Sequence, residues 1–146
     1  MELSFYHIAS GNLASAVVKL LKKIYSTGKR CIFYSPIPDR VQLIDKTLWT
    51  FSTNAFIPHG GKSLGFADQQ PIYFTSEIEN PNNATVAVFV DSFDYKNWSD
   101  KFEKILFVFE DPTAAKAASK IYKDLKNCGE NVNYWKQSAK GWEKVT

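Results

Sequence analysis

Residues that build redox, metal and nucleophilic sites are scarce in this sequence: two cysteines, two histidines and one methionine among 146 residues. Cys31 and Cys128 form no CxxC pair, so neither a disulfide framework nor a zinc pattern is expected. His7 and His59 have no cysteine or histidine at metal-ligand spacing, and no metal or cofactor is expected. No stretch approaches the ~18 apolar residues a membrane helix needs. The opening Met1–Glu2–Leu3–Ser4 has neither the basic nor the long apolar region of a secretion signal. A soluble, cytoplasmic protein is the expectation. Charge of one sign is short as well. The net charge of +3 is too small by itself to imply a nucleic-acid binder.

Glycine is missing where nucleotide sites require it. The first strand-to-helix turn holds Gly11 alone, where a dinucleotide fingerprint needs three glycines at fixed spacing. Gly60–Gly61–Lys62–Ser63 ends like a P-loop, but position 56 is Phe56 rather than glycine. No helical pattern follows Ser63 to cradle a phosphate. No G-x-S-x-G elbow surrounds any serine.

What is abundant is aromatic: four Trp, seven Tyr and eleven Phe, 15% of the chain. The apolar pattern alternates between strands and helices. Leu3–Ile8 reads as a strand, and residues 13–25 place Ala16, Val17, Leu20, Leu21 and Ile24 at helical spacing behind Asn12 as N-cap, closing at Gly28. Lys29–Tyr34 is a second strand, and Val41, Ile44, Leu48 and Trp49 mark a second helix over residues 39–49. The Pro58–His59–Gly60–Gly61 stretch interrupts the chain. Strands are expected at Pro71–Thr75, Thr85–Val90 and Lys104–Phe109, the last two as β-branched or aromatic runs suited to burial on both faces. A helix runs from Pro112 to Asn127 between Asp111 and Gly129. Glu130–Trp135 reads as an edge strand. The pattern predicts one three-layer α/β/α domain with a mostly parallel sheet over residues 1–136, with Rossmann-like layers but no nucleotide-binding motif. Residues 137–146 are expected to be a loose tail.

Candidates for catalysis are few. Asp91 and Asp94 follow a central strand at its C-terminal end, where α/β active sites lie, although the same residues serve as loop and capping groups. Cys31 sits in an apolar run as a buried small side chain. No catalytic set assembles from these, and a non-enzyme is expected.

Two surfaces remain. Trp49, Phe51 and Phe56 flank a polar segment that leads to His59; such rings either complete the core or stand exposed as partner anchors. On the last helix Lys116, Lys120 and Lys123 share one stripe, with Ala117, Ala118, Ile121 and Leu125 on the packed side. Residues 116–146 hold seven lysines against Asp124, Glu130 and Glu143, so the basic excess lies here, beside Tyr122 and Tyr134–Trp135. Basic and aromatic groups together suit an acidic peptide with an apolar residue, or a nucleic-acid strand.

Several of these residues carry a family resemblance. Phe5–Ile8 (FYHI), Thr27–Arg30 (TGKR), Leu48–Trp49 followed by Phe56–Ile57–Pro58–His59, and the Ile121–Tyr122–Lys123 step before Gly129 together resemble the chi subunit of bacterial DNA polymerase III. The Leu-Trp to Pro-His spacing is the distinctive part. The resemblance implies an α/β accessory subunit of the clamp-loader assembly with no chemistry of its own. It implies a heterodimer with the psi subunit through Trp49 and Phe56 with His59 close by, and Phe51 of the same aromatic segment is expected to join that surface. It also implies capture of the acidic, Phe-terminated tail of single-stranded DNA-binding protein at Tyr122 and Lys123, with Lys116 and Lys120 of the same helix expected to add charge, so that single-stranded DNA is met indirectly. Two positions depart from the family: Ser119 and Ala115 stand where it carries basic side chains. The rival readings are a direct single-strand binder using the same lysines and aromatics, and an enzyme centred on Asp91, Asp94 or Cys31.

Overall fold

A computed structural model describes residues 2–9, 12–51, 59–61, 70–98, 102–138 and 141–145. Eight strands join in one sheet: β1 (Glu2–His7), β2 (Cys31–Tyr34), β3 (His59–Gly60), β4 (Ile72–Thr75), β5 (Val86–Val90), β6 (Lys104–Phe109), β7 (Val132–Ser138) and β8 (Gly141–Val145). Their order across the sheet is β3-β4-β2-β5-β6-β1-β7-β8. Every pairing is parallel except that of β7 with β8. Three α-helices are described: α1 (Leu13–Ser26), α2 (Pro38–Phe51) and α3 (Pro112–Asn127).

The helix ends follow from local hydrogen bonding. Asn12 caps α1 by accepting from the Ser15 backbone N–H at 3.1 Å. Asp111 caps α3 by accepting from Thr113 at 2.7 Å, with Pro112 in the first turn where no intrahelical N–H is needed. Gly129 follows α3 at φ +79°, a left-handed position that glycine adopts without strain.

Period-2 alternation along the buried strands builds two chemically different cores. Cys31, Phe33, Ile72, Phe74, Val86, Val88, Val90, Leu106 and Val108 face α1 and α2, against Val17, Val18, Leu21, Ile44 and Leu48. Phe5, Ile32, Tyr34, Tyr73, Phe89, Phe107, Phe109 and Tyr134 face the other way, against Ala118 and Tyr122 of α3. Two helices cover the first face and aliphatic side chains suffice there. One helix covers the second, and the remainder is closed by large rings: Phe93, Tyr95, Trp98 and Phe102 from the segment after β5. Within it, Phe107 meets Phe5 at 5.0 Å, Phe93 at 5.5 Å and Phe89 at 5.6 Å between ring centroids. The aromatic surplus is thus largely core.

Three expectations are corrected. The stretch 137–146 is no loose tail among its described residues, since Gln137 and Ser138 end β7 and Gly141–Val145 form β8. The Glu130–Trp135 run is consequently not an edge strand, because β8 pairs outside it with Trp135 opposite Lys144. On α3, Ala117 is exposed rather than packed, and Tyr122 takes the buried place beside Ala118. Where the sequence breaks at Pro58–Gly61, His59 and Gly60 form the short strand β3 beside Ile72 and Tyr73. A β-carbon on Gly61 would lie 3.0 Å from the Phe74 carbonyl oxygen. Close backbone approach therefore accounts for a glycine there without any phosphate.

Candidate partner-binding clefts

The catalytic candidates are held in local pairs. Asp91 has a left-handed backbone, φ +65°, directly after β5. Its carboxylate accepts from the Ser35 hydroxyl at 3.0 Å and from Arg40 Nε at 3.1 Å. Asp94 accepts from the Asn97 side-chain amide at the start of a 3-10 turn, Tyr95–Asn97. Cys31 is fully buried, and burial pushes its thiol far above the ordinary range, which withholds the nucleophilic thiolate.

The lysine stripe of α3 borders a cleft of about 410 Å³. It is lined by His7, Ala115, Lys116, Ser119, Tyr122, Lys123, Tyr134, Lys136 and Val145. The parallel register of β1 and β7 sets His7 beside Lys136 and Phe5 beside Tyr134, so these side chains line up under α3. Tyr122 and Tyr134 form the apolar floor, their rings 5.5 Å apart. Lys126 reaches over Tyr122, with Nζ 5.6 Å from the ring centroid and 3.5 Å from the hydroxyl. Lys116, Lys123 and Lys136 line the cleft, and Glu143 pairs with Lys136 from the neighbouring strand. Ala115 and Ser119 line it with small side chains.

Of the expected tail-binding residues, Lys116, Tyr122 and Lys123 are brought together and Lys120 is not among the lining residues. The helix explains this. Successive residues turn by ~100°, so Lys120 is rotated away from Ser119 and stands exposed. His7, Lys136 and Val145 line the cleft without having been singled out for it. The signal for Lys136 was available, because Tyr134 and Lys136 share a face by alternation while Trp135 points to the opposite one.

His7 stacks on Phe109, centroids 5.3 Å apart. Burial first, and the Lys136 charge second, lower its pKa below the ordinary 6.5. The folded chain then binds fewer protons than the unfolded one just below 6.5. The stability from neutral His7 is complete above that value and is lost as pH falls through it toward the folded pKa. An acidic ligand in the cleft reverses the bias. An NMR titration of the imidazole should give a midpoint below 6.5 in the free chain and a higher one with an acidic peptide bound. A midpoint unmoved by the peptide would remove His7 from the binding surface.

A second cleft, of about 310 Å³, lies between α2 and the β3–β4 edge. Pro38, Val41, Gln42 and Asp45 line it from one stripe of α2, and Gly61, Tyr73, Glu77 and Glu79 line it from the sheet side. Tyr73 donates to Glu79 at 2.5 Å. Trp49 follows Asp45 by four residues on the same stripe and is 48% exposed. The backbone of His59 lies in β3 at this edge. Phe56, and the side chains of Phe51 and His59, lie outside the described residues.

Comparison with known proteins agrees with the resemblance. Residues 1–133 match the family described as DNA polymerase III chi subunit, HolC. A curated protein of Rickettsia prowazekii (strain Madrid E), named "Probable DNA polymerase III subunit chi", is 31% identical over 113 residues. The match covers 73% of this chain and 68% of that protein.

Proposed function

The chain belongs to the DNA polymerase III chi subunit family, and on that premise we propose that it is a non-catalytic bridge within the replicative clamp-loader assembly. One side binds psi; the other binds the acidic tail of single-stranded DNA-binding protein. The observation that carries this reading is the cleft under α3, where Lys116, Lys123 and Lys136 ring an apolar floor of Tyr122 and Tyr134. A peptide with aspartates and a terminal Phe matches it group for group: the ring enters between Ala115, Tyr122 and Tyr134, and the carboxylates meet the lysines. Lys116 and Lys136 supply the charge that Ser119 and Ala115 lack, so the pocket is rebuilt around different side chains.

The psi-facing side is assigned to the α2 cleft and exposed Trp49, with Phe51, Phe56 and His59 as the further contacts that the family resemblance implies. Asp45, Glu77 and Glu79 line this cleft and favour a partner segment that combines basic and apolar residues. α2 and α3 lie on opposite faces of the sheet, which leaves each partner room. Tail contacts built from exposed lysines are weak singly and sensitive to salt. Several tails on one single-stranded DNA-binding assembly raise their effective concentration.

Fluorescence anisotropy of a labelled acidic peptide ending in Phe tests the cleft. Saturable binding is expected that weakens with salt and disappears when the final Phe is deleted. Binding indifferent to both changes would rule this site out.

A further inference from the structure

The sheet beyond α1 carries an aromatic face that neither cleft uses. Alternation along the β7–β8 hairpin sends Tyr134, Lys136, Glu143 and Val145 toward α3 and leaves Trp135, Gln137, Trp142 and Lys144 on the opposite face. Tyr6, paired with Trp135 in register, joins them. The rings of Tyr6 and Trp142 meet edge-on, centroids 5.3 Å apart. Lys144 Nζ stands 6.0 Å from the centre of the Trp135 ring. Trp142 is 38% exposed. These rings form a ledge on a solvent-facing strand pair, in contrast to the aromatic core beneath α3.

Basic side chains outnumber acidic ones on this face. Helix α1 covers the neighbouring strands on this same face and exposes Lys19 and Lys23 without a single acidic residue in its sequence. The carboxylate on this part of β1, Glu2, accepts from the Asn133 amide at 2.8 Å and lies 3.9 Å from Lys104 Nζ. Trp135, Trp142 and Lys144 also lie past the residues matched by the family, which end at 133.

We propose that Tyr6, Trp135, Trp142 and Lys144 form a stacking platform for single-stranded DNA. Trp142 is exposed and Tyr6 and Trp135 are half-buried on the adjacent strands, so the rings offer bases a face to stack on, and lysines at the border meet the phosphates. This combination binds unpaired strands with little regard to sequence. A duplex keeps its bases stacked on one another and cannot use the rings. The platform does not depend on the tail-binding cleft, which opens on the other face of the sheet.

The test is anisotropy of a fluorescein-labelled oligo-dT of about 20 nucleotides, a length that covers one such platform, with the full chain at low salt. Saturable binding is expected, with quenching of tryptophan emission and a steep loss as salt rises. Trp142→Ala and Lys144→Glu should each weaken it about tenfold; the second variant leaves the rings in place should the first loosen β8. Lys96→Ala, an exposed lysine of the 3-10 turn on neither the ledge nor the cleft, should change it by no more than about twofold. Absence of binding at low salt would overturn the proposal. So would equal affinity for duplex, or binding that survives both Trp142→Ala and Lys144→Glu.

Discussion

Reversing Lys116 and Lys123 together to glutamate should weaken binding of the acidic, Phe-terminated peptide by about a hundredfold at low salt while leaving the fold intact. Both side chains are exposed, so neither supports the core, and surface charges of this kind contribute little to stability. Their effect on an acidic ligand is larger. The cleft changes from three lysines to one lysine against two glutamates, and like charges brought together across an interface cost several kcal/mol. The loss should shrink as salt is added, because exposed charges are screened within ~10 Å at about 0.1 M. Lys120→Glu provides the contrast, since that side chain does not line the cleft and should produce only a few-fold loss. Equal effects from Lys120 and Lys123 would mean that general attraction to the helix, not the cleft, holds the peptide.

Phe107→Ala should remove about 3–5 kcal/mol of stability, the range for emptying a buried phenylalanine site. Phe107 is 1% exposed and lies on β6 between β5 and β1. Around it stand Phe5, Phe89, Phe93 and Tyr95, all within 6.0 Å between ring centroids. Rings joined this closely cannot collapse into the vacancy without losing their own contacts, so the cavity persists. Domains have only ~5–15 kcal/mol in total, so the midpoint of urea denaturation should fall sharply. A shift below about 1 kcal/mol would mean that this face is loosely packed.

Much of the fold was legible because local signals and the global pattern agree. Asn12, Asp111, Pro112 and Gly129 bound the helices where the apolar spacing begins and ends, and β5 and β6 are read from β-branched and aromatic runs that only a doubly covered strand tolerates. The misses occur where pairing rather than composition makes the strand. His59–Gly60 is two residues long and becomes β3 only because β4 lies beside it. Gly141–Val145 carries glycine and two charged residues, and β7 alone supplies its partner. The site was read in part for a related reason. Lys116, Tyr122 and Lys123 share a helix and hence a visible spacing, whereas His7 and Lys136 enter the cleft through a register between strands more than a hundred residues apart. No spacing within one segment displays that. The aromatic excess was ambiguous for the same cause: the count does not distinguish Phe107 in the core from Trp142 at the sheet's edge.

The proposed bridge requires that both partners be held at once on opposite faces of the sheet. Sedimentation velocity of the chain with its psi partner and the labelled acidic peptide, followed at the dye wavelength, measures this directly. The proposed bridging predicts a ternary species in which peptide affinity equals that of the free chain. Release of the peptide as psi is added would show that the two partners compete for one surface, and the bridging function would be contradicted.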